Sequence, residues 1–562
     1  MQRIDHNDVN ASSRPIDSGN SNKKNRPQLT RRPSLSKQLS ETVKPETPLG
    51  WIALLTTLSS AILMHEIRLQ KKLTCPPLVY TNLNNSQHSI STSANGKNIP
   101  FMKYIIDRLS HNPKAPDGKG ILTRTIKPSL LVGTRGFISS TAAYLMHGPK
   151  QEHEHSLSKS LQFREIMTTG DGATLALDWE VPRPTYSSSL NIRLSDSQIK
   201  ANVLYGPITE KTPVVIILHG INNDTGFGYM KNLMRACSKK GWIACGMNFR
   251  GCGGQKLTTP RGYTAAYTGD LRHLIHTISA RLKGDTPVFL CGNSLGANLV
   301  TKYLGEEGFS GTLPSCIKGG VSLGNPLHIH GGSVKFPFNM LLGAGVKKTV
   351  LQSWHAFNKM SSCFHYGKAF RKILLSRTIG ELDDAASPFL IRNDNMYPFN
   401  ARVGYKDGED YWHDASSNRV IQHVTVPLLN LSAQDDFLVK DHALQSLSRC
   451  LVNPNILVVK TKCGGHLGWQ EAPPQESFGI GKSWADTAMV DFIEAILDTR
   501  KRMRMNDENE HDGQTQEQTM GISTKTDTNT RRGDLQAPLP RRSRNMDLIR
   551  STYASRNIKS KL

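Results

Sequence analysis

A serine framed by two glycines is the residue of this chain best suited to nucleophilic chemistry. The segment Cys291–Asn298 reads CGNSLGAN and fits the pattern G-x-S-x-G. It follows the apolar run 286–291 and precedes a stretch with helical spacing, 297–304, so the pattern predicts Ser294 on a strand-to-helix turn. Such a turn lifts a serine hydroxyl clear of a sheet, where it can attack a carbonyl carbon.

A serine nucleophile needs a base and an acid, and both follow later in the chain. His466 comes after a strand-like run and would take the proton from Ser294. Asp436 follows the preceding strand-like run and would fix the imidazole tautomer and stabilise the imidazolium. Asp435 stays open as the alternative acid, because adjacent side chains on a loop point in different directions. The order Ser, Asp, His on successive loops is typical of α/β-hydrolases.

An upstream turn supplies the remaining part of such a site. The apolar run 214–218 leads into HGINND at 219–224. We expect the backbone N–H groups of Ile221 and Leu295 to form an oxyanion hole there, with His219 in a structural role. The same six residues also fit H-x-x-x-x-D, a pattern associated with glycerolipid acylation that is expected about once by chance in a chain this rich in histidine.

Longer matches surround these residues and resemble one branch of the α/β-hydrolases. They are NFRGCGG at 248–254, TPRGY at 259–263, the region Gly292–Gly308, GY at 404–405, DY at 410–411, ASS at 415–417 and GGHLG at 464–468. The resemblance is to the YheT/EMB8 (ABHD1/2/3-type) family, which includes mono- and triacylglycerol lipases and yeast medium-chain acyl ethanol transferases. It spans about residues 161–490 and implies acyl-ester hydrolysis or transfer, with an N-terminal membrane anchor. One departure is Phe437, where the family usually has Pro.

Strands and helices that alternate along the chain must position these residues. After a hairpin around 170–172, the pattern predicts the α/β class and a mostly parallel central sheet, the α/β-hydrolase fold, over 161–500. The long connection at about 326–426 predicts a helical lid, although structural helices completing the domain would account for the same sequence. Residues 67–160 are interpreted as a linker and pre-core segment.

Composition describes the surroundings of this domain. The chain has 562 residues, a formal net charge of +24 and nine cysteines. Polar, basic ends at 1–47 and 501–562 predict disordered tails. The positive charge favours anionic lipid headgroups, and the lack of a reader motif predicts no nucleic-acid partner. Scattered cysteines without C-x-x-C predict reduced thiols, and the lack of metal-ligand spacing predicts neither a metal nor another cofactor.

Two segments could direct the protein within a cell. Residues 48–66 contain the uncharged run Leu49–Met64 and predict a transmembrane or interfacial anchor, of which we favour a single-pass anchor in a membrane near the N-terminus. The chain ends Ser560, Lys561, Leu562, a peroxisomal address that an import receptor would bind. The charges flanking the apolar run leave the topology undecided.

These observations favour a membrane-associated serine hydrolase that cleaves fatty-acyl esters, of glycerides or of short or medium chains, through an acyl-Ser294 intermediate. An acyltransferase that moves the same acyl group to an alcohol or lysolipid is the first alternative. A catalytically silent lipid-binding protein on the same fold is the second, and the Ser, Asp, His order counts against it.

Overall fold

Apolar runs of five to seven residues build the six parallel strands of the central sheet of this protein. The computed structural model describes residues 48–82, 89–91, 98–145, 159–183, 194–208, 212–259, 261–353, 356, 364–390, 404–439, 443–473 and 482–521. The strands described there are β1 (Leu78–Tyr80), β2 (Ser89–Ser91), β3 (Asn98–Pro100), β4 (Ser160–Thr168), β5 (Thr174–Pro182), β6 (Val214–Leu218), β7 (Ile243–Met247), β8 (Val288–Asn293), β9 (Ile317–Leu323), β10 (Leu428–Ala433) and β11 (Ile456–Thr461).

The described helices alternate with the strands of the main sheet. They are α1 (Pro48–Leu73), α2 (Phe101–Ser110), α3 (Gly136–Leu145), α4 (Asp196–Tyr205), α5 (Gly228–Lys239), α6 (Gly269–Ser279), α7 (Leu295–Ser310), α8 (Phe338–Gln352), α9 (Phe364–Leu375), α10 (Ile379–Ala386), α11 (Gly408–Ala415), α12 (Ala443–Val452) and α13 (Trp484–Gly521). Short 3-10 turns cover Ser387–Phe389, Ser417–Arg419 and Ile421–His423.

The main sheet has nine strands in the order β1-β11-β10-β9-β8-β6-β7-β5-β4. The pairs from β11 through β10, β9, β8 and β6 to β7 are parallel, whereas β1, β5 and β4 pair antiparallel at the two edges. The predicted mostly parallel α/β sheet is confirmed. Because the parallel strands run in one direction, the loops after β6, β8, β10 and β11 meet at one edge of the sheet.

Side chains of one strand enter two separate cores. In β6, Val214, Ile216 and Leu218 join one buried cluster, and Val215 and Ile217 join another. This follows from the alternation of side chains along a strand. Helices α6 and α7 pack in the first core, and α2, α5 and α13 pack in the second.

The second core contains helices that lie before the predicted domain boundary at residue 161. Met102 and Ile105 of α2 are 2% and 0% exposed, and Ala143 of α3 is also buried in this cluster. We therefore expect the folding unit to begin well before residue 161. The apolar runs of this segment are short and scattered, so the sequence pattern is a weak indicator that their residues are buried.

The connection between β9 and β10 holds helices α8 to α11, within the region predicted as a lid. Its described residues pack against the sheet domain and expose some large apolar side chains, among them Phe336 at 76% and Leu341 at 63%.

Contacts divide the chain into the units 1–72 and 73–562, and the expected single-pass anchor falls in the first. The expectation is wrong: among the described residues, no helix combines the length and the apolar character that a bilayer crossing needs. Helix α1 has 26 residues, but Glu66, Arg68, Lys71 and Lys72 fall within it. The uncharged run 49–64 corresponds to about 24 Å of helix, less than a hydrocarbon core of about 30 Å.

The two predicted tails differ in what the structure describes of them. Residues 1–47 lie outside the described residues, and so do Ser560, Lys561 and Leu562. Helix α13 continues past residue 500, where the second tail was predicted to begin, and ends at Gly521. The first residues of that stretch are mostly Lys, Arg and Met, which favour helix.

Candidate active site

The turn between β8 and α7 holds Ser294 in a conformation that few residues other than glycine adopt. Its backbone angles are φ 54° and ψ −113°, and strain of this kind costs on the order of 1–3 kcal/mol. The flanking glycines permit the turn. A Cβ added at Gly292 would lie 2.2 Å from the Gly296 carbonyl oxygen, and one at Gly296 would lie 2.6 Å from the His219 carbonyl oxygen.

The structure brings the predicted serine, histidine and aspartate side chains together. His466 Nε2 lies 2.8 Å from Ser294 Oγ, and His466 Nδ1 lies 2.8 Å from Asp436 Oδ2. Asp436 follows β10 and His466 follows β11, so both come from loops at the carboxyl edge of the sheet. Ser294 is 7% exposed and His466 is 1% exposed.

The surroundings of Asp436 keep its carboxylate charged. Burial alone would raise the pKa of Asp436, but His466 and the N–H groups of Val439 and Leu438 lower that pKa below its ordinary value. The second carboxylate oxygen, Oδ1, accepts hydrogen bonds from Leu438 N at 2.8 Å and Val439 N at 3.1 Å. A carboxylate at Nδ1 fixes the tautomer in which Nδ1 carries the proton and Nε2 accepts from the serine hydroxyl.

The alternative acid, Asp435, points elsewhere. Its Oδ1 accepts a hydrogen bond from Gly465 N at 2.8 Å. Burial raises the pKa of Asp435, although the N–H groups of Gly465 and Gly464 oppose that rise. Asp435 therefore fixes the backbone that precedes His466, whereas Asp436 contacts the imidazole.

Phe437, which replaces the family's usual Pro, belongs to an aromatic cluster beside Asp436. Its ring centroid lies 5.3 Å from that of Phe137 in α3 and 4.8 Å from that of Phe338 in α8. The next residues pair with the insertion, because Lys335 N donates to Leu438 O at 3.1 Å. Lys335 Nζ also donates to the Asp436 carbonyl at 2.9 Å.

The loop after β6 passes next to Ser294. A Cβ added at Gly220 would lie 3.3 Å from Ser294 Cβ, and Gly220 N donates to the Tyr229 hydroxyl at 2.9 Å. Within the described residues, the N–H groups of Ile221 and Leu295 donate to no other group. Leu295 is the first residue of α7, where an N–H has no acceptor inside the helix. Both amides thus remain available for a ligand oxygen.

His219 has both ring nitrogens engaged by backbone groups. Nδ1 lies 2.7 Å from the Gly220 carbonyl oxygen, and Nε2 accepts from Phe249 N at 3.0 Å. Burial lowers the pKa of His219 to about 4, although the Gly220 carbonyl opposes that shift. Asp224 accepts from Gly226 N in its own turn. The H-x-x-x-x-D spacing is therefore explained by loop structure, and His219 has no free nitrogen for proton transfer.

Helix α3 supports the histidine loop, a role that was not predicted from the sequence. Ser140 Oγ accepts from His466 N at 2.7 Å and donates to Gly136 O at 2.8 Å. A Cβ added at Gly465 would lie 2.1 Å from the Gly136 carbonyl oxygen. Small residues on one face of α3 allow this close approach. That spacing of Gly and Ser at 136, 139 and 140 is the signal that could have indicated a tightly packed helix.

Comparison with known proteins agrees with this architecture. Residues 213–473 match the profile of a family described as the alpha/beta hydrolase fold. The chain is 25% identical over 340 residues to "Embryogenesis-associated protein EMB8" of Picea glauca, which covers 59% of this chain and 66% of that protein. It is 25% identical over 406 residues to "Phospholipase ABHD3" of Bos taurus, covering 72% and 89%.

A yeast relative carries a name with two activities. "Medium-chain fatty acid ethyl ester synthase/esterase 2" of Saccharomyces cerevisiae is 25% identical over 391 residues, covering 63% of this chain and 75% of that protein. Residues 213–473 thus match the α/β-hydrolase fold, and the predicted resemblance of this chain to the EMB8 and ABHD1/2/3-type branch is confirmed.

Proposed function

We propose that this protein is a serine esterase that cleaves fatty-acyl esters, glycerides among them, through an acyl-Ser294 intermediate. The observation that carries the proposal is the continuous contact from Asp436 through His466 to Ser294, with two distances of 2.8 Å. The names of the relatives, a phospholipase and an ester synthase/esterase, support an acyl-ester substrate.

In the first half of the proposed reaction, His466 Nε2 takes the Ser294 proton while Oγ bonds to the ester carbonyl carbon. The ionised Asp436 stabilises the imidazolium that results. Negative charge develops on the carbonyl oxygen, and the N–H groups of Ile221 and Leu295 would bind it, each contributing on the order of 3 kcal/mol. The imidazolium then protonates the departing alcohol, which leaves an acyl-Ser294 ester.

In the second half, water attacks the acyl-enzyme and His466 takes one of its protons. The bond between the acyl carbon and Ser294 Oγ breaks, and Oγ recovers a proton from the imidazolium. An alcohol attacking in place of water would yield a new ester by the same steps, and the yeast synthase/esterase relative favours testing that acceptor. His219 does not enter either route, because both its nitrogens bond to backbone groups.

The test is covalent labelling by a fluorophosphonate probe of the purified chain and of the variants Ser294→Ala and His466→Ala. We expect labelling of the wild type and its loss in both variants. Ser279→Ala is the matched control, because its hydroxyl contacts Cys316 at the opposite edge of the sheet and labelling should persist. A folded wild type that is not labelled would overturn both the esterase and the acyltransferase, and would favour lipid binding alone.

Hydrolysis then distinguishes the acceptors. Unlabelled wild-type protein is incubated with a glyceride or a medium-chain ester, with and without ethanol, and the products are separated. Free fatty acid in both reactions indicates hydrolysis, whereas ethyl ester that accumulates only with ethanol indicates transfer.

A further inference from the structure

Asn222, the residue after Ile221, connects the loop after β6 to helix α8 of the insertion. Its φ is 59°, in the left-handed region that Asn tolerates better than most residues. Its Nδ2 donates to the carbonyl oxygen of Leu342 at 2.9 Å. The loop is thus bonded to the main chain of a helix 120 residues away in sequence.

A tyrosine hydroxyl fixes the other half of the same side chain. The Tyr263 hydroxyl accepts from Asn222 N at 3.1 Å and donates to Asn222 Oδ1 at 3.2 Å. Both polar ends of the amide are therefore engaged, which fixes its orientation and restrains the Ile221–Asn222 peptide, the one directly after the peptide that carries the Ile221 N–H.

Helix α8 approaches closely enough for this bond because it has a glycine at the contact. A Cβ added at Gly345 would lie 2.3 Å from Asn222 Nδ2. The first residue of α8 contacts the acid loop, where the Phe338 and Phe437 ring centroids are 4.8 Å apart. One helix of the insertion therefore contacts both loops that flank Ser294.

We propose that Asn222 is a positioning residue. It orients the Ile221 N–H toward the oxyanion only while α8 is docked on the loop after β6. The inference rests on the proposed esterase function. When α8 lies in its present place, the Asn222 side chain bonds its carbonyl and the Ile221 amide is directed at the reacting oxygen. When α8 moves away, Asn222 loses that acceptor and the amide loses its fixed orientation.

Two substitutions separate this role from a simple preference for a left-handed residue. Asn222→Gly keeps the backbone conformation readily accessible but removes both side-chain hydrogen bonds. Asn222→Asp keeps the size and the acceptor for Tyr263, but it places an oxygen against the carbonyl of Leu342. Asn455→Asp is the matched control, because Asn455 is also partly buried and its Nδ2 donates to the Val424 carbonyl at 3.1 Å.

The measurement compares hydrolysis of a soluble short-chain p-nitrophenyl ester with inhibition by an alkyl trifluoromethyl ketone. That ketone forms a hemiketal with Ser294, and its oxyanion would bind the Ile221 and Leu295 amides, whereas ground-state substrate uses them little. We expect kcat to fall about tenfold in Asn222→Gly and further in Asn222→Asp. The inhibition constant should rise in parallel, with KM changed less than about threefold.

The outcomes separate the two proposals. If both Asn222 variants melt at lower temperature but keep the wild-type ratio of inhibition constant to KM, Asn222 is only structural and the inference is overturned. If Asn222→Asp fails to fold, the same comparison is made with Asn222→Gly and Tyr263→Phe, because each of them removes hydrogen bonds made by the Asn222 side chain. If Ser294→Ala hydrolyses the ester as well as the wild type does, the esterase proposal itself fails, whatever the Asn222 variants show.

Discussion

Replacing Asp436 with Asn tests the proposed acid through the tautomer of His466. In the wild type, Asp436 Oδ2 faces His466 Nδ1, and Oδ1 accepts from Leu438 N and Val439 N. In Asp436→Asn the amide oxygen should stay with those two N–H donors, so the NH₂ group faces Nδ1. The imidazole must then accept at Nδ1 and carry its proton on Nε2, where it can no longer accept from Ser294.

The cost of restoring the productive tautomer follows from the same contacts. Turning the amide would leave two N–H groups without an acceptor, at about 1–3 kcal/mol each. Together these give about 2–6 kcal/mol, or a loss of about thirtyfold to 10⁴-fold in kcat at about 1.4 kcal/mol per tenfold. Losing the charge that stabilises the imidazolium adds to this, so we expect a loss near 10⁴-fold, similar to that of the same change in the chymotrypsin triad.

The assay is steady-state hydrolysis of p-nitrophenyl butyrate at pH 8, with Asp435→Asn as the matched control. Asn at 435 can still accept from Gly465 N, so its kcat should stay within about threefold of the wild type. The reasoning is refuted if Asp436→Asn keeps more than a tenth of the wild-type kcat, or if the two variants lose activity equally.

Three further variants test the support of the site. Ser140→Ala removes the acceptor of His466 N, so kcat should fall about tenfold with little change in KM. Gly296→Ala forces a Cβ within 2.6 Å of a backbone oxygen, and thermal melting should show severe destabilisation or no folded protein. Burial raises the pKa of Asp383 to about 7, against an ordinary 3.8. As pH rises, the Asp383 carboxyl therefore ionises in the unfolded chain before it does in the folded one. The free energy of unfolding should fall from about pH 4 to about pH 7 and then stay constant. Asp383→Asn should flatten the corresponding dependence of Tm on pH.

Each of these three has a control on a similar element. Thr141→Ala changes an exposed hydroxyl of the same helix as Ser140 and should leave kcat unchanged. Gly170→Ala adds a Cβ with nothing within 4 Å and should melt like the wild type. Glu409→Gln, at an exposed position, should keep the wild-type dependence of Tm on pH. A control that changes as much as its partner would remove the structural explanation for that pair.

The sequence predicted the parallel strands well because both faces of each are buried. Such strands appear as continuous apolar runs: β6 was predicted at 214–218 and is Val214–Leu218, and the strand-like run predicted before His466 is β11, Ile456–Thr461. Loops that follow these strands must meet at one edge, so the meeting of Ser294 with His466 was predictable from chain order. The choice between Asp435 and Asp436 was not, because it depends on which side chain turns inward.

Contacts between distant segments were also beyond the sequence pattern. Ser140 and His466 are 326 residues apart, and no periodicity relates them. The prediction of a membrane anchor was wrong for a different reason. It rested on an apolar run that is too short to cross a bilayer, and the rest of α1 adds charged residues to it.

Each loop around Ser294 is held by an element outside the sheet. The histidine loop is bonded to α3, whereas the acid loop and the loop after β6 are bonded to the insertion, at Lys335 and Leu342. Ser294 is only 7% exposed, so under the proposed esterase function we expect the insertion to shift before a long acyl chain enters. A shift of that kind breaks contacts that hold the acid and the Ile221 amide. We therefore expect the open protein to be less competent in chemistry than the closed one, with the insertion completing the site again as it returns over bound substrate.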